Sequence, residues 1–466
     1  MAGDTFDVVV LGGGPGGYAA ALYGAAAGLE VALVEEGRVG GTCLHRGCIP
    51  AKELLQTAEV FRTVGRAGEF GVEVGQPAIS LPTSQKRKQA IVDRLTKGLE
   101  GLLKGRKVTV HAGTGRLGAD GRSVVVEGGA AATVLEARRG VVVATGSQPR
   151  SLPGFDFDGQ RVLSSDHVLE LDRVPPRAVV VGGGAIGCEF ASFLCDVGSE
   201  VTLLEALPRL LAGVDEDASV VVSRAFAKRG MTVKTGVEVV GAAPGASTVG
   251  VSYRDAGGEQ TVDADVVVVS VGRSPRSAGI GLAEAGVEID ERGFVAVDEL
   301  MRTSVPGVYA VGDLVATPQL AHVGFAEAIV AITAILGEDA VAIDYGKVPW
   351  GIYCHPEVAF CGLTEAQARD AGHDVVVSTH RFAGNGRALI VGEPDGIMKI
   401  VAAREGPVLG VHIVGPWATE LLGEGYLAVN WEALPGDIAS LVHPHPTLGE
   451  LFGESAMALT GRALHG

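Results

Sequence analysis

Short runs of valine, leucine and alanine separated by glycine-rich turns set the rhythm of the chain. Val8 to Leu11 is apolar and runs into Gly12-Gly13-Gly14-Pro15-Gly16-Gly17. An Ala-rich stretch follows, and after Gly28 comes Val31-Ala32-Leu33-Val34-Glu35. This pattern predicts strand, turn, helix and strand, because glycine allows a tight turn and close backbone approach. The pattern returns at an offset of 170 residues: Val179 to Val181, then Gly182-Gly183-Gly184-Ala185-Ile186-Gly187, a helix, Gly198, and Val201-Thr202-Leu203-Leu204-Glu205. Each copy carries G-x-G-x-x-G between a strand and a helix, with an acid roughly 20 residues on, as a dinucleotide-binding turn requires. The glycines let the backbone reach a pyrophosphate, the helix amino terminus offers free N–H groups and a positive dipole end, and the acid accepts from ribose hydroxyls. Two such units imply two cofactors, or a cofactor and a cosubstrate, with electron relay between them.

Further apolar runs fill in the organisation. Val141-Val142-Val143-Ala144-Thr145-Gly146-Ser147 closes the first unit, and Val308-Tyr309-Ala310-Val311-Gly312-Asp313 offers a Gly-Asp at a strand's carboxyl end, where open α/β sheets bind ligands. We therefore expect one nucleotide domain built from residues 1–147 and 273–345, interrupted by a second at 148–272. From 346 to 466 glycine turns recede, and strand-like runs such as Met398 to Ala402 and Val408 to Val414 mix with helical segments in a separate C-terminal domain. The fold class is α/β, with two Rossmann-like nucleotide-binding domains and an α+β C-terminal domain.

Composition narrows the choice. A chain of 466 residues needs more than one core, and 47% hydrophobic with 20% charged residues describes an ordered protein. The net charge of −17 works against nucleic acid, whose binding rests on Lys and Arg. Met1 to Asp7 carries two acids and no base, unlike a secretory signal, and points to the cytoplasm. Val8 to Val34 is long enough to span a membrane, but seven glycines and a proline interrupt it, which favours the strand–turn–helix–strand reading. Six cysteines are too few for a disulfide scaffold, so any disulfide is expected to be catalytic.

Directly after the first unit stands Gly40-Gly41-Thr42-Cys43-Leu44-His45-Arg46-Gly47-Cys48-Ile49-Pro50-Ala51-Lys52. Five residues of regular helix rise about 7.5 Å, beyond the roughly 7 Å that a disulfide spans between Cα atoms. If the two cysteines pair, the backbone is distorted here, and Gly47 and Pro50 suit that; a strained, accessible disulfide is the labile kind. Two buried free thiols, or a metal site using Cys43, His45 and Cys48, remain open on spacing alone. Against the metal, no second Cys or His cluster supplies remaining ligands at zinc-like spacing. Cys188 and Cys195, on one face of the helix after the second glycine turn, read as packing residues, as do Cys354 and Cys361.

Taken together, these segments resemble the pyridine nucleotide-disulfide oxidoreductases, and within them the dihydrolipoamide dehydrogenases. The resemblance runs over essentially the whole chain. It is carried by the turn at Gly12, GGTCLHRGCIPAK from Gly40, LTKGLEGLLK from Leu95, ATGS from Ala144, GGGAIGCEF from Gly182, VGRSP from Val271, YAVGD from Tyr309, LAHVGFAEA from Leu320 and HPHPTLGE from His443. It implies that Gly12, Gly14, Gly17, Glu35 and Asp313 hold FAD, with Asp313 on the ribityl side. Gly182, Gly184, Gly187 and Glu205 would hold NAD, and Thr145, Gly146 and Gly272 join the cofactor-binding set. Lys52 and Glu189 match an ion pair beside the flavin, where a fixed positive charge favours the reduced ring. Cys43 and Cys48 would form the redox-active disulfide, with His445 as base and Glu450 as its orienting acid, while His443 stays outside the proton path. The C-terminal domain would make a homodimer that presents His445 to the neighbour's disulfide, and the partner would be the lipoyl-bearing acyltransferase of a 2-oxo acid dehydrogenase complex.

The chain departs from the family pattern at His45 where Asn is common, Ala51 where Ser is common, Pro444 between the histidines, and Gly449 where a small polar residue is usual. None removes a reacting group, and His45 lies where it can alter thiol acidity. Among rivals, NADPH-dependent glutathione- or mycothiol-type reductases sit poorly with Glu205, since a carboxylate repels a 2′-phosphate. Mercuric reductases usually carry a further C-terminal cysteine pair, and no cysteine follows Cys361. A flavin-bearing scaffold with a vestigial site sits poorly with the intact cysteines and His445.

Overall fold

The computed structural model describes residues 4–129 and 132–465; the first three residues of the acidic start, Met1–Asp7, lie outside the described residues. Residues up to Glu53, Pro82–Arg150 and Gly272–Tyr345 form one compact unit, while Leu54–Leu81, Ser151–Val271 and the residues from Gly346 onward form a second.

In the first unit the strand Asp4–Leu11 pairs in parallel with Val31–Glu35 on one side and Thr133–Val143 on the other. Thr109–Ala112 extends the sheet beyond Val31–Glu35. Val308–Ala310 adds in parallel alongside Val141–Val143, so the returning chain completes the sheet. Val8, Val10, Leu33 and Val142 pack on one face with Ala20, Ala328 and Ala331, whereas Val9, Leu11, Val34 and Val143 pack on the other. Alternate residues of one strand thus serve two cores. With both faces covered, an unbroken apolar run is the expected strand sequence. Where the chain leaves this unit and returns, Ser147–Pro149 pairs antiparallel with Arg273–Pro275, and the Arg150 N–H donates to the Gly272 carbonyl at 3.1 Å.

The second unit holds a parallel sheet in the order Thr232–Thr235, Glu200–Glu205, Arg177–Val181, Val266–Val269, Val162–Leu163. A three-stranded antiparallel sheet, Glu238–Pro244, Val249–Asp255 and Gly258–Ala264, accompanies it. The C-terminal part is a five-stranded antiparallel sheet in the order Trp350–Ile352, Glu357–Gly362, Val408–Gly415, Ile397–Ala403, Val375–Arg381. Helices Ala418–Asn430 and Glu450–Leu459 bury Leu422, Val429, Leu451 and Phe452 in the same core as Met398, Ile400 and Ile413. The runs from Met398 and Val408 are therefore its inner strands.

A buried charge cluster ties this part to the second glycine-turn segment. Lys399, whose side chain is 3% exposed, places Nζ 2.9 Å from Asp215 Oδ1, 2.6 Å from Asp217 Oδ2 and 2.9 Å from Glu365 Oε2. Asp215 also accepts from the Asp217 N–H at the start of helix Glu216–Lys228 and from the Glu365 N–H at 3.0 Å. Removing Lys399 would leave Asp215, whose side chain is 2% exposed, as an uncompensated buried charge, whereas Glu365 and Asp217 are partly exposed. Among the described residues, no helix is long and apolar enough to cross a membrane.

Candidate active site

The two glycine turns are near-copies in three dimensions. Gly12 and Gly182 take φ of +104° and +103°, and the helices Pro15–Ala26 and Ala185–Asp196 start from Gly14 and Gly184 at ψ of −174° and −173°. Close approach explains the third glycine of each turn: a Cβ at Gly17 would lie 1.7 Å from the Gly12 carbonyl oxygen, and one at Gly187 1.8 Å from that of Gly182. In front of the second helix the space is open, since a Cβ at Gly184 would meet nothing within 4 Å. Unpaired N–H groups and a positive dipole end facing a glycine cradle fit a pyrophosphate at both places.

The acids closing the units have a second duty that the sequence did not reveal. Glu35 accepts from the Gly13 N–H at 2.7 Å and from the Gly37 N–H at 2.9 Å. Glu205 accepts from the Gly183 N–H and, at 2.7 Å, from the Leu207 N–H. Each carboxylate braces its own glycine turn, and its remaining lone pairs leave capacity for ribose hydroxyls.

Asp313 follows strand Val308–Ala310 in a short turn of 3-10 helix, Gly312–Leu314. The Ser147 hydroxyl donates to Asp313 Oδ2 at 2.5 Å, and Arg273 holds Ser147 through Nε to the hydroxyl at 2.7 Å and Nη2 to the carbonyl at 2.9 Å. Thr145 donates to the Arg276 carbonyl at 2.8 Å, and Gly146 accepts from the Arg276 N–H at 2.8 Å. Gly272 has φ of +108° beside Arg150. Sequence reasoning missed Glu327. Fully buried on helix Ala321–Leu336, it accepts from the Gly312 N–H at 2.6 Å, the Thr317 hydroxyl at 2.6 Å and the Tyr345 hydroxyl at 3.0 Å. Burial pushes its pKa above the usual carboxylate range, and the Thr317, Gly312 and Tyr345 bonds partly offset this. An isolated acid within the apolar run LAHVGFAEA was the only signal for it.

The cysteines sit on a broken helix. One helix, Gly41–Arg46, stops at Gly47, whose φ of −149° and ψ of −113° lie outside the helical and extended regions, and a new helix, Cys48–Gly65, begins at once. A Cβ at Gly47 would come 3.0 Å from the Thr42 carbonyl oxygen. The break brings the two side chains together. The Cys43 thiol is pushed well up, first by its hydrogen bond to Cys48, then by burial and by the charge of a Cys48 thiolate, while the charge of Lys52 pulls the other way. Lys52 stands four residues after Cys48, on the same helical face. His45 Nε2 donates to the Val39 carbonyl at 2.9 Å. Among the described residues no group of three or more His, Cys, Asp and Glu side chains is arranged to hold a metal ion. Cys188, Cys354 and Cys361 are buried, and burial raises their thiols. Cys195 differs from the expectation in being only partly buried, with its thiol 3.6 Å from the Arg229 carbonyl oxygen.

Glu189, His445 and Glu450 belong to the second unit, and Cys43, Cys48 and Lys52 to the first. Glu189 lies on helix Ala185–Asp196 and accepts from the Tyr353 N–H at 2.9 Å. His445 Nδ1 is 2.8 Å from Glu450 Oε1, and the Thr447 N–H donates to Glu450 Oε2 at 2.7 Å. Burial alone would raise Glu450, but the Thr447 amide and His445 outweigh it and hold the carboxyl below its ordinary range. A carboxylate only accepts, so Nδ1 carries the proton and Nε2 keeps a lone pair. The side chain of His445 is 79% exposed. His443 is its opposite: 14% exposed, it is held by Glu424 at 2.9 Å.

Known proteins show the same assembly. A family model described as pyridine nucleotide-disulphide oxidoreductase matches residues 6–328, and that family's dimerisation domain matches residues 348–456. The dihydrolipoyl dehydrogenases of Bacillus subtilis and Thermus scotoductus are each 40% identical to the chain, with 99% of both partners covered. The crystal structure of LpdA from Mycobacterium tuberculosis has a TM-score of 0.91 at 27% identity, covering 98% of this chain and 99% of that one. With two glycine cradles, a cysteine pair on a broken helix, and relatives matched from end to end, the chain belongs to the pyridine nucleotide-disulphide oxidoreductases.

Proposed function

We propose that the protein is a dihydrolipoyl dehydrogenase, oxidising protein-bound dihydrolipoyl groups through a Cys43–Cys48 disulfide and FAD and reducing NAD+ to NADH. The observation that carries this reading is the helix break at Gly47, which sets Cys43 against Cys48 with Lys52 one turn on. Full-length similarity to dihydrolipoyl dehydrogenases supports the substrate.

His445 Nε2 takes the proton of an entering dithiol, and Glu450 fixes the tautomer that leaves Nε2 free. The resulting thiolate attacks Cys43, the Cys43–Cys48 bond breaks, and Cys48 leaves as a thiolate stabilised by Lys52. The second substrate sulfur then displaces Cys43 from the mixed disulfide, releasing the cyclic oxidised product. When bound, FAD supplies the two-electron acceptor between this dithiol and NAD+. The first glycine turn, Glu35 and Asp313 hold FAD, and the second turn and Glu205 hold NAD; Thr145, Gly146 and Gly272 complete the set. By the resemblance, Lys52 and Glu189 also belong to the cofactor-binding set. In domain terms, residues 1–147 with 273–345 bind FAD, 148–272 bind NAD, and 346–466 form the interface of a homodimer. Cysteine use fits the cytoplasm, and the partner is the lipoyl-bearing acyltransferase of a 2-oxo acid dehydrogenase complex.

His445 works on the neighbour's disulfide, which its exposure of 79% supports. Coexpression of Cys43→Ala and His445→Ala subunits under two tags tests both chemistry and arrangement. In the mixed dimer one site combines an intact cysteine pair with an intact His445 while the other lacks both, so about half of wild-type dihydrolipoamide oxidation returns from two nearly inactive parents. No recovery overturns the trans arrangement, and an inactive wild-type homodimer overturns the function.

A further inference from the structure

Helix Ala185–Asp196 presents Glu189, Ser192 and Asp196 at spacings of three and four residues, which align them along one face. Each holds something. Glu189 accepts from the Tyr353 N–H at 2.9 Å, Ser192 Oγ accepts from the His355 N–H at 2.9 Å, and Asp196 pairs with two arginines. The backbone from Tyr353 to Pro356 is thus a strap lying along the helix, and Arg229 fastens its far end. Its Nη1 donates to the His355 carbonyl at 2.6 Å and to Ser192 Oγ at 3.1 Å, while Nη2 donates to the Ser192 carbonyl at 3.1 Å and pairs with Asp196. Arg62 takes the other oxygen of Asp196 at 2.7 Å. The side chains of Arg229 and Asp196 are 16% and 7% exposed, and Ser192 is fully buried. A guanidinium fork is the group suited to bridging a carbonyl, a hydroxyl and a carboxylate in fixed geometry, and little water is present to replace it.

We infer that Arg229 is a positioning residue for Glu189: it fixes the strap Tyr353–Pro356 so that the Tyr353 N–H aims the Glu189 carboxylate. The inference rests on the reading above, in which Glu189 is a cofactor-binding residue; it lies on the helix that starts from the second glycine turn, the one proposed to hold NAD. Tyr353 offers a backbone N–H, so its aim depends on the strap and not on its own side chain. Arg229 has no place in the dithiol chemistry, so its loss should fall on one half-reaction. The thiol steps are assigned to Cys43, Cys48 and His445, whereas Arg229 holds the strap, Ser192 and Asp196.

The test compares Arg229→Met with wild-type holoenzyme, with Ser192→Ala as a milder second variant should the first fail to fold. Backbone amide exchange, read by mass spectrometry on peptides covering 351–362, should show about tenfold faster exchange at Tyr353 and His355 in R229M, with the strand Glu357–Gly362 unchanged. Rapid-reaction kinetics should show electron transfer between NADH and flavin slowed about tenfold, while reduction of the flavin by dihydrolipoamide changes less than about twofold. S192A should show the same split, about threefold in size. Combining R229M with Glu189→Gln should add little to the loss caused by E189Q alone, because both act on one group. Unchanged exchange at Tyr353, equal deprotection of Glu357–Gly362, faster exchange with an unaltered NADH step, equal slowing of both half-reactions, or full additivity with E189Q would each overturn the inference. Failure of wild-type enzyme to oxidise dihydrolipoamide would instead overturn the function reading, leaving the exchange and NADH measurements to judge the strap.

Discussion

The two glycine turns share a backbone to within a few degrees, yet their surroundings differ, and the difference separates what binds a nucleotide from what specialises the site. Both have the same carbonyl that forbids a side chain at the last glycine and the same braced acid, while the helix end is open at Gly184 and faced by Gly41 at Gly14. Past the second strand they diverge. The first unit continues into the broken cysteine helix and is completed by a strand whose Gly312–Asp313 turn hangs on buried Glu327. The second continues into helix Glu216–Lys228, whose start is locked by Asp215 and Lys399. The glycine cradle is thus common to both copies, whereas the broken cysteine helix follows only the first.

The strongest attempt to break this equivalence exchanges the crowded glycines. Gly17→Ala should yield protein that retains no FAD, whereas Gly187→Ala should stay yellow and lose NADH-dependent reduction on the order of a hundredfold, because each Cβ would lie under 2 Å from a backbone oxygen of its own turn. Flavin absorbance per chain and NADH kinetics decide it; a yellow, active G17A would end the argument. A smaller effect is expected at the asymmetric element. Glu327→Ala strands the Gly312 N–H and the Thr317 and Tyr345 hydroxyls, a loss of about 1–3 kcal/mol, so FAD should dissociate roughly tenfold more readily while affinity for NAD holds. Equal weakening of both would show a general loosening instead. The smallest effect concerns selectivity: Glu205 should favour NADH over NADPH at least tenfold, about 1.4 kcal/mol. Glu205→Ala should narrow the ratio of kcat/KM values, which is the quantity to compare because the same change also unbraces Gly183. A ratio that stays put would remove Glu205 from cofactor choice.

The parts of this architecture that are legible in the sequence are those whose partners lie close along the chain. Strand, glycine turn, helix and closing acid follow one another in the same register in both units, so both turns are exposed by register alone, although the bonds by which Glu35 and Glu205 brace Gly13 and Gly183 are not. The break at Gly47 likewise follows from the reach of two cysteines five residues apart. The brace on Asp313 was not legible, since Ser147 lies 166 residues away and is chosen only once the returning strand is in place. Glu189 and Tyr353 are separated by 164 residues, and nothing about a backbone N–H marks its residue in a sequence. Arg229 reads as an ordinary basic residue after a helix until the strap is laid beside it.

Lys399 gives the chain an unexpected limit on modularity. Its three acids come from residues 215, 217 and 365, so the second nucleotide segment supplies two carboxylates to a buried cation that the C-terminal part holds together with Glu365. A chimera whose replaced segment lacked the matching residues would leave Asp215 and Asp217 without their cation, or Lys399 with Glu365 alone. Exchange of either segment therefore has to keep Lys399 and its acids together.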